Sequence, residues 1–220
     1  MEEFPGERIR TQSLIVFVFL FVVFRLLLAE WELFLFPEEK TRVFLEANLP
    51  AEQVDATLSI KDRISKWRWI IIPFTALLGS LLLAYYGYLT GYFTQLNKLT
   101  LRHHFKAVLC AQIVASVYFA TRLFLVMKFA PKMTLEQWQT YYPGSFLAYM
   151  DPLKTDPWWM FSFAQLNIGN LLFMLTLVVV YVRIKGVSAE RAFQYVSISW
   201  GGGLILILSL ITFVQMMIMN

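Results

Sequence analysis

The sequence is poor in cysteine and in charged residues. Its 220 residues include one cysteine, and only 15% are charged. A single cysteine excludes an internal disulfide and any zinc or iron–sulfur site that needs several cysteines. Soluble domains have roughly 25% charged and 45 to 50% apolar residues, whereas 58% of this chain is hydrophobic. The composition therefore excludes a soluble globular protein and indicates apolar helices in a membrane.

Motifs that carry enzyme chemistry are also missing. The sequence has no P-loop, no dinucleotide fingerprint, no Gly-x-Ser-x-Gly elbow and no His-Glu-x-x-His. His103 and His104 are adjacent, so on a helix they would point about 100° apart and could not share a metal. We interpret them as a titratable loop at the membrane interface. We therefore expect no enzyme, no cofactor and no metal site.

Five apolar stretches are long enough to cross a bilayer. A hydrocarbon core about 30 Å thick requires about 20 apolar residues in a helix. The predicted spans are residues 13–36, 69–93, 107–127, 158–182 and 193–217. The fold class expected is an all-α, polytopic membrane protein. We expect residues 1–220 to form a single domain, a bundle of five transmembrane helices.

The distribution of basic residues predicts the orientation of the bundle. With five spans, one side would hold residues 1–12, 94–106 and 183–191, which contain eight Lys or Arg in 34 residues. The other side has nine in 65 residues, mixed with most of the acidic ones. Positive residues concentrate in cytoplasmic loops, which favours a cytoplasmic N-terminus and a C-terminus outside. Four basic residues just before the second span argue against this orientation, because they could hold that end in the cytoplasm. They are Lys61, Arg63, Lys66 and Arg68.

The first outer loop has a pattern typical of a surface helix. Pro37 and Pro50 stand where helices could begin. An apolar stripe follows at helical spacing, formed by Ala56, Ile60, Ile64 and Trp67. We expect a short amphipathic helix lying on the membrane.

The second outer loop contains signals for a further short helix. Thr134 and Gln137 match a capping box, and Pro143 with Gly144 predicts a turn before residues 145–150. Both outer loops are therefore predicted to fold into small helices that cover the bundle.

Charged residues within the spans are the sharpest candidate site. Arg25 lies near the middle of the first span, Glu30 and Glu32 follow it, and Arg122 lies in the third. A charge in the bilayer costs roughly 2.5 to 3.5 kcal/mol on insertion scales, so it usually has a partner or a wet cavity. We expect Arg122 to pair with Glu30 or Glu32, while Arg25 snorkels or meets an anionic headgroup. The alternative is a purely structural ion pair with snorkelling arginines.

Small residues predict where helices approach closely. The candidate packing positions are Gly79, Gly87, Gly91, Gly201, Gly202 and Gly203. Side-chain hydrogen bonds inside the bundle are expected from Gln112, Gln165, Asn167 and Asn170. These surfaces serve either packing within the chain or contact with a partner subunit.

Four segments carry a resemblance to a known family. They are residues 76–91 (ALLGSLLLAYYGYLTG), 96–108 (LNKLTLRHHFKAV), 145–152 (SFLAYMDP) and 185–192 (KGVSAERA). Together they resemble the bacterial form of the Yip domain, the five-helix membrane module named for Ypt/Rab-interacting proteins, over residues 65–215. The resemblance implies five helices, a cytoplasmic N-terminus and no catalytic motif. Its bacterial members are similar to accessory proteins that accompany exporters, and the short N-terminal segment here argues against Rab binding.

Two functions from different classes follow from these observations. The first is a non-enzymatic accessory or scaffold subunit of a transport or secretion complex in a bacterial inner membrane, bound to a membrane-protein partner. The second is a protein that handles a lipid or small substrate through Arg25, Glu30, Glu32 and Arg122. A sealed charge cluster would favour the scaffold, whereas an accessible polar cavity between helices would favour lipid handling. We expect the bilayer, and no nucleic acid, among its partners.

Overall fold

The chain is predominantly helical in the part that the computed structural model describes. That part comprises residues 5–94, 99–129, 133, 137–138, 141–150, 156–184 and 187–219. Its α-helices are α1 (Pro5–Leu35), α2 (Glu38–Asn48), α3 (Ala51–Phe93), α4 (Leu101–Phe129), α5 (Pro157–Gln165), α6 (Ile168–Val182), α7 (Ala189–Val196) and α8 (Gly202–Met219). A 3-10 turn, Phe146–Tyr149, precedes α5, and a π-helical turn, Ser197–Gly201, joins α7 to α8.

Four helical segments within these ranges are long and apolar enough to cross a membrane. They are Leu14–Leu35, Ser65–Phe93, Leu101–Phe129 and Ala189–Met217. They coincide with the first, second, third and fifth predicted spans, three of them extended by several residues. The all-helical fold class is confirmed, and the four segments indicate an integral membrane protein.

The predicted span 158–182 is wrong as one continuous helix. It consists of α5, of nine residues, and α6, of 15, separated at Leu166 and Asn167. At about 14 and 22 Å, each is shorter than the hydrocarbon core. The cause is Asn167, whose side-chain oxygen accepts a hydrogen bond from the backbone N–H of Asn170 at 2.9 Å. This N-cap starts a new helix in place of continuing the old one.

Helices begin directly after Pro37 and Pro50, but the second is not a separate surface helix. The apolar stripe of residues 56–67 is the first part of α3, which runs unbroken for 43 residues, or about 65 Å, through Pro73. The expected surface helix is therefore an extension of the second membrane span. In the other loop Thr134 lies outside the described residues, and residues 146–149 form the 3-10 turn.

The helices pack side by side with alternating direction. Ser80 Oγ of α3 lies 2.7 Å from Gln112 Oε1 of α4, and residues further along α3 meet the start of α4, so the two are antiparallel. The helices α4 and α6 are also antiparallel, since His104 meets Tyr181. The bundle thus has two ends, which we name the His104 end and the Arg122 end.

Candidate functional site

A cavity lies between the helices. It has a volume of about 1070 Å³, is partly open to its surroundings, and is lined by residues of α1, α3, α4, α5, α6 and α8. Its polar lining residues include Arg25, Thr75, Tyr86, Gln112, Ser116, Tyr118, Arg122, Tyr142, Gln165, Asn167 and Asn170. Ligand cavities in proteins generally measure about 300 to 1,000 Å³, so this one can hold a sizeable molecule.

The cavity exists because one helix has no side chain there and another diverges. Gly79 lies on the face of α3 that lines the cavity, and a Cβ added to it would meet no described atom within 4 Å. Beyond the π-helical turn, α8 packs against α5 and has at most sparse contact with α3, α4 and α6 in the described ranges. The space between α3 and α8 is therefore left open.

The two ends of the cavity wall differ in charge. Gln112, near its middle, is ten residues along α4 from Arg122, a distance of about 15 Å. Opposite Gln112, Ser80 of α3 is six residues, or about 9 Å, from Tyr86 at the other end. The wall near Tyr86 also contains Phe173 and Trp200, whose rings lie together, and Gly203. Over about 24 Å the wall thus changes from a region with two arginines, which also contains Phe21 and Phe119, to a region of uncharged aromatic rings.

Arg122 is held between aromatic rings in the cavity wall. Its side chain is only 4% exposed. The guanidinium carbon lies 3.6 Å from the ring centre of Trp138 and 4.1 Å from that of Tyr142. One terminal nitrogen, Nη2, donates to the backbone carbonyl of Trp138, while Nε has no hydrogen-bond acceptor among the described residues. The rings fix the position of the guanidinium and leave donors unused.

The predicted pairing of Arg122 with a glutamate is wrong. Glu30 instead pairs with Arg68, whose Nε lies 2.7 Å from Oε1 and whose Nη2 donates to Oε2 at 3.1 Å. Glu32 accepts a hydrogen bond from the indole Nε1 of Trp138 at 3.1 Å. The cause is the antiparallel course of α1 and α3, which brings Arg68 beside Glu30. In the sequence, Arg68 is recognisable only as a basic residue before a span, and no pattern signals its contact with Glu30.

The structure therefore separates the four predicted charges into two groups. Arg25 and Arg122 both line the cavity, whereas Glu30 and Glu32 do not. Arg25 is exposed on the cavity-facing side of α1. Its predicted contact with a lipid headgroup stays a prediction.

The His104 end is closed by a network of buried rings. His104 has no exposed surface, and its Nδ1 lies 2.8 Å from the hydroxyl oxygen of Tyr181 and 3.3 Å from that of Tyr195. The Tyr195 hydroxyl donates to the carbonyl oxygen of Gly87 at 2.5 Å. The interpretation of His104 as a loop residue is wrong, because α4 begins at Leu101 and directs this side chain into the bundle.

The candidate glycines have different surroundings. A Cβ at Gly87 would lie 2.9 Å from the Tyr195 hydroxyl, and one at Gly203 would lie 2.6 Å from the Tyr86 hydroxyl. Gly201 would meet Met174 at 3.3 Å, Gly91 is buried, and Gly79 and Gly202 face open space. Gly87 and Gly203 therefore allow close packing within the chain, and Gly79 widens the cavity.

Comparison with known proteins identifies no relative from which the role of the site could be inferred. No family model, no curated protein and no solved structure matches this chain. The resemblance of residues 65–215 to the Yip domain stays a prediction. The chemistry of the site follows from the cavity and the residues that line it.

Proposed function

We propose that this protein binds an amphiphile of lipid size, taken from the bilayer, in the cavity between its helices. The observation that carries the proposal is the partly open cavity of about 1070 Å³, bounded by membrane-spanning helices. An accessible polar cavity in this position is the feature that distinguishes lipid handling from a scaffold with sealed charges.

The arrangement of the wall supports an occupant with a polar head and an apolar tail. The Arg122 end offers guanidinium and amide groups, and the opposite end offers the rings of Tyr86, Phe173 and Trp200. A tail at the apolar end would replace lipid contacts with similar contacts to protein, while the head would satisfy polar groups that lipid tails cannot.

The orientation in the membrane is part of the proposal. The α5–α6 pair provides a fifth crossing that is bent within the bilayer, supported by the packing of α6 along α4. Five crossings with a cytoplasmic N-terminus, as the basic residues favour, put the Arg122 end in the outer leaflet of a bacterial inner membrane. The occupant then enters from that leaflet.

The accessory role in a transport or secretion complex has less support. Two of the glycines that could have faced a partner, Gly87 and Gly203, are used for packing inside the chain. We accordingly propose binding, without catalysis, as the primary activity, and a partner subunit stays a prediction.

A matched pair of substitutions tests the proposal. Gly79→Phe places a ring in the cavity, whereas Gly202→Phe adds the same ring where a Cβ likewise meets no described atom within 4 Å but outside the cavity wall. After purification in gentle detergent, native mass spectrometry should show lipid retained in fixed ratio by the unaltered protein and by Gly202→Phe. Gly79→Phe should lose it. Equal retention by both variants would contradict binding in this cavity.

A further inference from the structure

The charge of the cavity wall restricts what the cavity can hold. Among the described residues, its lining contains two arginines, Arg25 and Arg122, and no aspartate or glutamate. Of the acidic residues closest in sequence to Arg25, Glu30 pairs with Arg68, and Glu32 binds the indole of Trp138, the ring beside Arg122, without forming an ion pair with Arg122 within 4 Å. The wall therefore carries a net positive charge at its polar end.

Arg122 supplies a second, independent observation. It is 96% buried, since 4% of its surface is exposed, and no carboxylate oxygen in the described part of the chain lies within 4 Å of its nitrogens. A guanidinium has five N–H donors, of which Nη2 is used by the Trp138 carbonyl and Nε has no acceptor. A buried charge is costly unless an opposite charge and hydrogen bonds accompany it. An anion at this position would provide both.

The neighbouring amides do not compete for this role. The Asn167 side chain donates to the carbonyl of Ala164 at 2.7 Å, and the Asn170 side chain donates to that of Gln165 at 2.6 Å. Each of these amides is tied to the nearby backbone and neither carries a charge, so recognition of charge falls to the two arginines.

We infer that the occupant is anionic, with a phosphate or carboxylate group bound by Arg122 and Arg25 at the Arg122 end. The inference rests on the proposed function and specifies its ligand class. Trp138 and Tyr142 hold the Arg122 guanidinium in place, and the carboxylate of Glu32 is bound by the indole of Trp138, so it forms no ion pair with Arg122 within 4 Å. Bidentate hydrogen bonding makes arginine well suited to both kinds of oxyanion.

The test changes the charge of the cavity and leaves the aromatic contacts of Arg122 intact. Gly79→Asp introduces a carboxylate where there is free space, and Gly79→Asn is a neutral control of nearly equal size. Each protein is equilibrated in nanodiscs that contain equal amounts of phosphatidylglycerol and phosphatidylcholine, and its bound lipid is counted by native mass spectrometry. A third arm adds inorganic phosphate as a competitor.

The unaltered protein and Gly79→Asn should select phosphatidylglycerol by about tenfold, because both lipids carry a phosphate but the two arginines repel the choline cation of phosphatidylcholine. Gly79→Asp should lose that preference. Displacement by inorganic phosphate would support an anion site and assign it to a soluble phosphate, whereas resistance would support an anionic lipid.

Two results would overturn the inference and are distinguishable from each other. Stoichiometric lipid without headgroup preference, or equal preferences in the Asp and Asn variants, would refute an anionic occupant and leave the proposed function standing. The absence of any bound lipid or phosphate in the unaltered protein would overturn the inference and the proposed function together.

Discussion

The two ends of the bundle are built from the same helices but differ in packing. At the His104 end, α3, α4 and α6 come together around His104, Tyr181 and Tyr195, which are fully buried. At the Arg122 end α8 leaves the bundle, and α1, α3, α4 and α6 border a cavity of about 1070 Å³. Both ends contain polar side chains, including the fully buried His104 at the closed end, so polarity alone does not decide which end closes. The difference in packing between the ends depends on whether a small residue lies against an aromatic ring of the neighbouring helix or faces open space.

Two glycines of α3 show this contrast within a single helix. Gly79 and Gly87 are eight residues apart, so both were candidates for close helix contact. Gly87 lies against the Tyr195 hydroxyl, the His104 ring and Trp200, whereas Gly79 faces the cavity. A glycine in a membrane helix therefore permits either a tight contact or a free space, depending on the neighbouring helix.

The largest expected effect is the difference in unfolding free energy between two variants that add the same side chain, one at each of these glycines. Gly87→Leu forces the side chain into Tyr195 and His104 and should lower the free energy of unfolding by about 3 kcal/mol. Gly79→Leu meets no such obstacle and should change it by less than about 0.5 kcal/mol. Denaturant titration in detergent micelles measures both. Similar losses in the two variants would mean that the ends do not differ in packing.

A smaller effect should follow from removing a hydroxyl at the closed end. Tyr181→Phe leaves Nδ1 of the buried His104 without its 2.8 Å partner and should cost about 1 to 2 kcal/mol of unfolding free energy. The control is Tyr88→Phe, which removes a hydroxyl 2.6 Å from that of the exposed Tyr92 and should cost less. The same titration compares them. A cost for Tyr181→Phe no greater than the control would show that the His104 network does not stabilise this end.

The smallest effect on stability should come from the open end. Trp138→Phe keeps a ring beside Arg122 but removes the N–H that binds Glu32, and should cost about 1 kcal/mol of unfolding free energy. The freed Glu32 carboxylate can then approach Arg122 and compete with the anion. The free energy of binding phosphatidylglycerol should therefore fall by more than the free energy of unfolding does. Native mass spectrometry of bound lipid, with Trp159→Phe at a 43% exposed position as the control, measures this. Unchanged lipid binding would argue against a role for Trp138 in holding Glu32 away.

Hydrophobic segments and proline positions predicted most of the fold. Apolar length alone located four spanning segments, and Pro37 and Pro50 marked where α2 and α3 begin. Those signals are local, because a run of apolar residues or a fixed φ acts within a few turns of chain. The break at Asn167 was missed, since an apolar stretch does not show whether a polar side chain within it will cap a new helix.

The candidate site could be predicted only in part. The sequence identified Arg25 and Arg122 as unusual, because charge in an apolar span is visible without coordinates. It did not identify the partners of the glutamates, Arg68 and Trp138, which are 38 and 106 residues away along the chain. Nor did it place His104 among tyrosines. Such contacts depend on how helices lie against each other, which no local pattern encodes.

The break between α5 and α6 also affects how the protein is made. Side chains nearby satisfy some of the polar groups at the break, through Asn167 on Ala164 and Asn170 on Gln165 and Asn167. The backbone at the break bonds an earlier part of the chain: the Ile168 N–H donates to the Gly144 carbonyl at 3.1 Å, and the Leu166 carbonyl accepts from the Phe146 N–H at 2.9 Å. Because residues 144–146 leave the ribosome before α5 and α6, the bend can form in lipid without hydrogen bonds from another spanning helix. This part of the cavity wall can therefore form during biogenesis, ahead of the assembly of the bundle.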